Sequence, residues 1–172
     1  MGTIADSINE LQERESKLKQ MGGDKAIAKQ HEQGKLSARE RLELLFDAGS
    51  FRELDLFATP RCVNFDMPGT VIPADGVITG YGLVDGRTVF AFSQDFTSRA
   101  GTLGEMQSKK ICKVMDLAMK AGVPIVGIDD SGGARIQEGV DALAGYGEIF
   151  FRNSAASGVI PQITAIMGPT AG

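Results

Sequence analysis

The chain has 172 residues, of which 42% are hydrophobic and 23% charged, and its formal net charge is −4 at pH 7. The length is enough for one sizeable domain with its own core. The acidic balance gives no global basic field for nucleic acid, and no apolar run approaches the roughly 18 residues of a membrane span. The N-terminus also lacks the basic start and apolar stretch of a secretory signal. We therefore expect a cytoplasmic protein without nucleic-acid binding or direct membrane insertion.

Cysteine and histidine are scarce in this sequence. Cys62 and Cys112 lie far apart, and the single histidine, His31, falls in a charged segment typical of a solvated helix. This pattern argues against a zinc site, and we expect no metal. Ser93 and Ser131 have no histidine beside them, so a Ser-His-Asp triad would have to recruit His31. Cys112 falls on the apolar face of a predicted helix and is expected in the core.

The N-terminal third predicts helices. Residues 3–20 carry apolar positions at helical spacing with charges between them, which indicates a solvated helix laid on another apolar surface. A second helix is expected over 24–33. A third begins at Ser37, where Glu40 completes the capping-box pattern. We assign residues 1–48 to an N-terminal helical segment.

Residues 49–172 predict the first part of an α/β domain. Residues 50–75 contain several prolines and read as loop with one short strand at most. Asp85-Gly86 joins two strand-like runs and is a strong hairpin signal. Neither a complete dinucleotide fingerprint nor a P-loop motif is present. The predicted elements are strands over 77–84, 87–93, 123–128 and 161–167, with helices from 101–104 to 120 and over 137–156.

Residues 129–139 are the most informative stretch. Their position, after an apolar run and before an amphipathic segment, predicts a buried strand, a glycine turn and a helix start. Gly132 and Gly133 allow a left-handed backbone and a close approach to the main chain. The free N–H groups of a helix's first turn add partial positive charge. The stretch indicates a site for an anion or a developing oxyanion, the alternative being a helix start with purely structural glycines.

A second glycine turn, residues 168–172, follows the next predicted strand. If the two strands are parallel neighbours, both turns lie at one sheet edge and their N–H groups converge. Of Asp129 and Asp130, one is expected to be a turn or cap residue, because adjacent strand residues point to opposite faces. Arg135 and Glu138 are expected to pair on the surface of the following helix. Because the sequence stops in this turn, without the helix that would cover the strand, we expect a fragment.

The order of motifs resembles a known family. The stretch from Asp130 to Gly139, DSGGARIQEG, is similar to the signature of the carboxyltransferase subunits of biotin-dependent acyl-CoA carboxylases. The family includes propionyl-CoA carboxylase β subunits, methylmalonyl-CoA carboxyltransferase and methylmalonyl-CoA decarboxylase α subunits. The likeness extends, in order, over Gly34-Lys35, residues 38–41, 73–76, 93–97, 145–147, 150–151 and 157–162.

This resemblance implies a crotonase-like fold of repeated ββα units, with an incomplete N-terminal carboxyltransferase domain here. It implies carboxyl transfer between carboxybiotin and the α-carbon of a short-chain acyl-CoA, of the propionyl-CoA or methylmalonyl-CoA type, through a thioester enolate. Biotin would be carried by a partner domain or subunit. The expected partners are further copies of the chain, in a hexamer, and a biotin carboxylase or biotin carrier subunit. Partner subunits would set the direction of the reaction.

The resemblance also implies site residues. Backbone N–H groups of Gly133 and Ala134, with Gly132 shaping the turn, are expected to hold the thioester oxygen. Ala171 and Gly172 would place a second donor. Cations that border the entry of coenzyme A are expected among Lys35, Arg39, Arg41 and Arg99, the alternative for each being a solvated surface charge.

Two other functions stay open at this stage. A crotonase-like hydrolase or hydratase could use the same oxyanion hole, with Glu138 as the nearest candidate for a catalytic carboxylate. The chain could also be a non-catalytic scaffold or acyl-CoA-binding fragment, with its N-terminal helices serving assembly.

Overall fold

The computed structural model describes residues 3–65 and 67–170, which form five helices, five strands and short 3-10 turns. Ala171 and Gly172, expected to place the second donor, lie outside the described residues. The helices are α1 (Ile4–Lys19), α2 (Asp24–Glu32), α3 (Ala38–Leu45), α4 (Glu105–Ala121) and α5 (Val140–Ala156). The strands are β1 (Arg52–Leu54), β2 (Val77–Val84), β3 (Arg87–Gln94), β4 (Ile125–Ser131) and β5 (Gln162–Thr170).

The strands form one mixed sheet in the order β1-β2-β3-β4-β5. β1, β2 and β3 pair antiparallel, and the predicted hairpin joins β2 to β3 with Val84 opposite Arg87. β3, β4 and β5 pair in parallel, with α4 and α5 as the crossover helices. Strands β2 and β3 with α4 make one ββα unit, whereas β4 alone precedes α5. The α/β class expected from the sequence is observed.

The helices pack on both faces of the sheet. On one face, Leu42 of α3 belongs to a buried apolar cluster with Ile78, Val126 and Ile128. On the other face, Ile111, Val114 and Met115 of α4 pack with Phe90 and Ile125. The helical segment 1–48 therefore shares a core with the sheet through α3, and its boundary at residue 48 stays a prediction. Cys112 is buried, as expected.

The N-terminal helices begin where local signals placed them. Ser37 and Glu40 form a complete capping box at α3, since the Ser37 hydroxyl accepts from the Glu40 N–H and the Glu40 carboxylate accepts from the Ser37 N–H. Helix α1 has no buried residue, and its apolar side chains Ile4, Ile8 and Leu11 are exposed. Every helix within residues 3–65 and 67–170 is too short or too polar to span a bilayer.

Three predicted boundaries are wrong by three residues each. β4 continues to Ser131 instead of ending at 128, and β5 continues to Thr170 instead of ending at 167. Mutual pairing extends both strands, because Ser131 lies in register with Thr170. Helix α5 begins at Val140 rather than 137, after a 3-10 turn over Ile136–Glu138 and Gly139 at φ 53°.

Candidate functional site

The turn after β4 is held closely by the loop before α4. The Gly132 N–H donates to the Ala100 carbonyl at 2.8 Å, and the Gly133 N–H donates to the Ser131 hydroxyl at 3.1 Å. Gly133 has φ 98°, so this position, and not Gly132, requires glycine. Both N–H groups therefore have acceptors within the folded chain, and the expected roles of Gly132 in shaping the turn and of Gly133 as a donor stay predictions.

Ala134 supplies the free donor of this turn. It forms a parallel bridge with Leu103, in which the Leu103 N–H donates to the Gly133 carbonyl at 2.8 Å and the Arg135 N–H donates to the Leu103 carbonyl at 2.9 Å. Leu103 makes both hydrogen bonds of this parallel bridge, so the N–H of its partner Ala134 points away from Leu103. Among the described residues the Ala134 N–H has no acceptor, although Ala134 is half-buried.

Helix α5 does not add its dipole to the turn. The expected helix start directly after the glycines is wrong, because residues 135–139 intervene before Val140. The N-terminus of α4 lies against the turn instead. Its Glu105 N–H donates to the Glu138 carboxylate at 2.6 Å, and its Gln107 N–H donates to the Asp75 carboxylate at 2.7 Å. The positive end of α4 is thus capped by two acidic side chains.

Arg135 ties these acidic caps to the turn. Its Nη1 lies 2.5 Å from Asp75 Oδ1 and 2.7 Å from Glu138 Oε1, and its Nη2 donates to the Thr102 carbonyl at 2.8 Å. The predicted Arg135–Glu138 pair exists, but it is buried, with side-chain exposures of 1% and 3%. The expectation of a surface pair is therefore wrong. Burial raises the pKa of the Asp75 carboxyl, and the charge of Arg135 opposes that rise.

The loop before α4 is a strained support that the sequence did not reveal. Arg99, Ala100 and Gly101 have φ values of 51°, 53° and 62° in succession. A Cβ at Gly101 would lie 2.3 Å from the Asp130 carbonyl oxygen, so the loop packs directly on β4. The Ser131 hydroxyl donates to the Gly101 carbonyl at 2.8 Å. Glycine at position 101 allows this close approach, because a side chain there would collide with the main chain of β4.

The ends of β4 and β5 lie side by side. The two strands are parallel neighbours, as the two-turn hypothesis required. Asp129 pairs with Ile166 and Ser131 with Thr170, so β5 advances by four residues where β4 advances by two. Gly168 lies within β5 and not in a turn, which corrects the predicted boundary of the second turn. Ala171 and Gly172, which are expected to place a second donor, directly follow Thr170 in sequence.

A mainly apolar cavity of about 200 Å³ lies between the sheet and helices α4 and α5. It reaches Ser131 and Thr170 at the carboxyl ends of the two strands, where ligands bind in open α/β sheets. Its lining includes Phe92, Leu103, Ile111, Met115, Asp129, Tyr146 and Ile149.

Asp129 and Asp130 project to opposite sides of β4, as expected from strand geometry. Asp129 lines the cavity, where burial raises the pKa of its carboxyl. Burial, with the nearby charge of Asp129, also raises the pKa of Tyr146. Asp130 is fully buried on the α3 side. Neither residue is a turn or cap residue, because β4 continues past both of them.

The structure separates the four predicted coenzyme A cations. Arg41 is buried, with a side-chain exposure of 5%, and its Nη2 donates to Asp130 Oδ2 at 2.8 Å. A guanidinium enclosed between α3 and β4 cannot border an entry for phosphates, so this prediction is corrected. Arg39 forms a bidentate pair with Glu53 at 2.9 and 3.3 Å. Lys35 and Arg99 have no carboxylate partner among the described residues.

The scarce cysteine and histidine side chains do not gather at the turn. His31 bonds to the exposed Glu40 carboxylate at 2.9 Å. Cys62 lies near the Gln137 carbonyl, at 3.5 Å. Over residues 3–65 and 67–170, no three histidine, cysteine or acidic side chains are grouped to hold a metal ion.

The turn after β4, the loop before α4 and the ends of β4 and β5 fall within a stretch of sequence that matches a known family. The carboxyl transferase domain matches residues 29–172 of this chain. The chain belongs to this family. It is 59% identical over 172 residues to the methylmalonyl-CoA decarboxylase α subunit of Propionigenium modestum, covering 100% of this chain and 33% of that protein. It is 53% identical over 171 residues to the human mitochondrial propionyl-CoA carboxylase β chain, covering 98% and 32%.

Solved structures agree with this assignment. Transcarboxylase 12S, a hexamer with methylmalonyl-CoA and methylmalonic acid bound, matches all of this chain with a TM-score of 0.98 and 48% identity, and 34% of its own chain is covered. A chain of a Pseudomonas malonate decarboxylase hetero-tetramer, solved with malonate, matches 78% of this chain with a TM-score of 0.68 and 33% identity, over 51% of its length. The resemblance read from the sequence is thus confirmed. The chain spans about a third of the length of its curated relatives.

Proposed function

We propose that this chain is the acyl-CoA-binding part of a biotin-dependent carboxyltransferase, acting on a short-chain acyl-CoA of the propionyl-CoA or methylmalonyl-CoA type. The reaction moves a carboxyl group to or from the α-carbon of the thioester. The observation that carries the proposal is the Ala134 N–H, which has no acceptor among the described residues, whereas the N–H groups of Gly133 and Arg135 each have one. The names of these relatives support the substrate class.

The chemistry requires a fixed donor at the thioester oxygen. Loss or gain of the carboxyl group leaves negative charge on the α-carbon, which spreads onto that oxygen as an enolate. A preorganised N–H that faces the oxygen is typically worth about 3 kcal/mol of transition-state stabilisation. Gly133 at φ 98° and the Leu103 bridge hold Ala134 before substrate arrives, so the donor pays no ordering cost during the reaction. Ala171 and Gly172 remain our proposed positions for the second donor.

The described residues fit the thioester, and we assign none of them to hold biotin. Biotin supplies or accepts the carboxyl group when a partner domain or subunit brings it to the site. The chain's own residues bind the acyl-CoA, orient its oxygen and exclude water through the apolar cavity beside Ser131 and Thr170. Lys35 and Arg99, which lack carboxylate partners among the described residues, are the proposed cations for the phosphates of coenzyme A.

We propose the same assembly for this chain as for its structural relative. Transcarboxylase 12S is a hexamer, and the exposed apolar side of α1 is suited to contact another subunit. A biotin carboxylase or biotin carrier subunit would complete the enzyme.

The hydrolase or hydratase alternative is less well supported, because the carboxylate of Glu138 is already engaged. Glu138 is buried, its Oε1 is paired with Arg135, and its Oε2 accepts from the Glu105 N–H. A carboxylate that caps a helix and pairs with a buried arginine is not free to move protons above the α- or β-carbon. Binding of acyl-CoA without turnover remains the second candidate function, since the chain spans about a third of its relatives.

The first prediction tests the Ala134 donor. In the assembled enzyme, lactic acid is incorporated in place of Ala134, which keeps the methyl group and replaces the N–H with an ester oxygen. We expect kcat for carboxyl transfer from methylmalonyl-CoA to free biotin to fall about 10²- to 10³-fold, with little change in acyl-CoA affinity, because the bond strengthens only in the transition state. Steady-state kinetics and calorimetric titration with propionyl-CoA measure the two effects.

An ester at Ala144, on the exposed side of α5, is the control for the chemistry of the replacement. Normal kcat in the Ala134 ester would show that the donor lies elsewhere. Avidin separates the enzyme classes, because it blocks a biotin-dependent reaction and leaves thioester hydrolysis intact. An intact enzyme that binds propionyl-CoA but transfers no carboxyl group would favour the binding function.

A further inference from the structure

The turn after β4 that carries Ala134 is called the donor turn below. A buried ion pair that the proposed reaction does not use lies behind this turn, on the opposite face of β4. Arg41 of α3 and Asp130 of β4 are separated by 89 positions in sequence and joined at 2.8 Å. Their side chains are 5% and 1% exposed. A buried pair of charges is costly to form and is weak evidence for stability alone, so its position requires an explanation.

Asp130 stands where the two functional strand ends change register. The shift between β4 and β5 falls between Asp129 and Ser131, which flank Asp130. A Cβ at Gly168 would lie 1.8 Å from Asp130 Oδ1, so the carboxylate packs against the bare main chain of β5. On its other side, the Asp130 carbonyl is in contact with Gly101 of the strained loop. One residue therefore contacts both strand ends and the loop that supports the turn.

The carboxylate is only partly satisfied. Oδ2 accepts from Arg41, whereas Oδ1 is buried and has no hydrogen-bond partner among the described residues. A buried carboxylate oxygen without a hydrogen-bond partner costs free energy, so its presence at this position requires an explanation. This oxygen faces Gly168, just before the end of β5.

We propose that Arg41 and Asp130 are positioning residues for the oxyanion donors, with Asp130 setting the relative placement of the β4 and β5 ends and Arg41 holding Asp130 from α3. The inference rests on the proposed function. Neither side chain touches the substrate. They act by fixing the backbone of the two strand ends. A displacement of about 1 Å at a turn that donates to the substrate can reduce the rate about a hundredfold. Arg41 thus acts behind the site, in place of the coenzyme A contact expected from the sequence.

The test compares Asp130→Asn, Arg41→Lys and a matched control, Glu53→Gln, in the assembled enzyme. Glu53 pairs with Arg39, the other arginine of α3 that holds a sheet carboxylate, but β1 lies at the far edge of the sheet. We expect Asp130→Asn to lower kcat by about tenfold to a hundredfold while the Kd for propionyl-CoA changes less than about threefold. Arg41→Lys should lower kcat less, and Glu53→Gln should leave it unchanged.

A spectroscopic measurement separates positioning from simple support. The thioester carbonyl stretch of bound [1-¹³C]propionyl-CoA, observed by isotope-edited infrared spectroscopy, shifts to lower frequency when donors polarise the oxygen. The shift should shrink in Asp130→Asn and persist in Glu53→Gln. An unchanged shift and an unchanged kcat in the folded Asp130→Asn enzyme would overturn the inference. If that variant does not fold, the same two measurements on Arg41→Lys decide.

This design also distinguishes the inference from the function on which it rests. A wild-type enzyme that polarises the carbonyl but transfers no carboxyl group would contradict the proposed function. The infrared shift would then still support the positioning role if Asp130→Asn reduces it, and would overturn that role if it does not.

Discussion

Two buried arginines hold the end of β4 in different ways. Arg135 is part of a complete network, because each carboxylate oxygen of Asp75 and Glu138 receives a hydrogen bond from Arg135 or from a backbone N–H of α4. Arg41 is part of an incomplete one, in which Asp130 Oδ1 has no partner among the described residues. Both arginines are almost fully buried.

The difference separates anchoring from positioning. A fully satisfied network fixes one arrangement and resists change, since every replacement leaves a buried group unpaired. It anchors the turn to the N-terminus of α4. The incomplete pair leaves an acceptor against Gly168, where β5 approaches its end. We therefore expect changes to the Arg135 network to act mainly on stability, and changes to the Arg41 pair to act mainly on rate.

The largest effect should come from Arg135→Met. The variant leaves Asp75 and Glu138 as two buried carboxylates without their cation, which typically costs about 3–5 kcal/mol. We expect the free energy of unfolding to fall by this amount, as measured by urea denaturation. Arg152→Met is the matched control, because Arg152 also pairs with two acidic side chains, but on the surface of α4 and α5. A loss below about 1 kcal/mol in Arg135→Met would remove the distinction between the two networks.

A third buried cation sharpens the comparison through pH. Lys110 of α4 is 2% exposed and donates to the Ala74 and Val77 carbonyls at 2.7 and 2.6 Å, and no carboxylate of residues 3–65 or 67–170 lies at hydrogen-bond distance. Burial lowers the pKa of Lys110 from 10.5 to about 8. The folded state thus loses this proton near pH 8, whereas the unfolded chain keeps it until about pH 10.5.

The sign follows from proton binding. Between about pH 8 and 10.5 the unfolded state binds more protons at Lys110, so stability from this group rises with pH in that interval. The total rise is about 3 kcal/mol at 1.36 kcal/mol for each pKa unit. Lys110→Met should abolish the rise, whereas Lys109→Met, at a neighbouring exposed position, should retain it. Equal pH slopes for wild type and Lys110→Met, in urea denaturation at several pH values, would contradict this prediction.

Local signals predicted much of the fold. The Asp85-Gly86 hairpin and the Ser37 capping box are both observed, since each depends on residues that are neighbours in sequence. Helix α4 ends at Ala121, one residue after the expected end at 120. Gly122 takes the left-handed C-cap conformation at φ 66°. The parallel pairing of β4 with β5, which the two-turn hypothesis took as its condition, is also observed.

Long-range contacts explain what the sequence could not predict. Arg41 meets Asp130 across 89 positions, and Arg135 meets Asp75 across 60. No spacing rule connects such residues, so the sequence alone predicts Arg41 as a cation at the coenzyme A entry and Arg135 as one partner of a surface pair. The choice of Ala134 as the free donor depends on the Leu103 bridge, which no local pattern reveals.

The smallest expected effect tests whether a loosened helix α3 disturbs the Arg41–Asp130 pair and leaves the Arg135 network intact. Ser37→Ala removes the N-cap acceptor of α3, at a cost of about 1 kcal/mol. Helix α3 carries Arg41, whereas Arg135 lies in the turn after β4. A loosened α3 should therefore shift Arg41 and Asp130 and lower kcat a fewfold, while the protection of the Gln107 N–H, which caps on Asp75, stays unchanged in hydrogen exchange. If the Gln107 N–H loses as much protection as the N–H groups of α3, the two networks are coupled. The distinction between anchoring by Arg135 and positioning by Arg41 would then have to be given up.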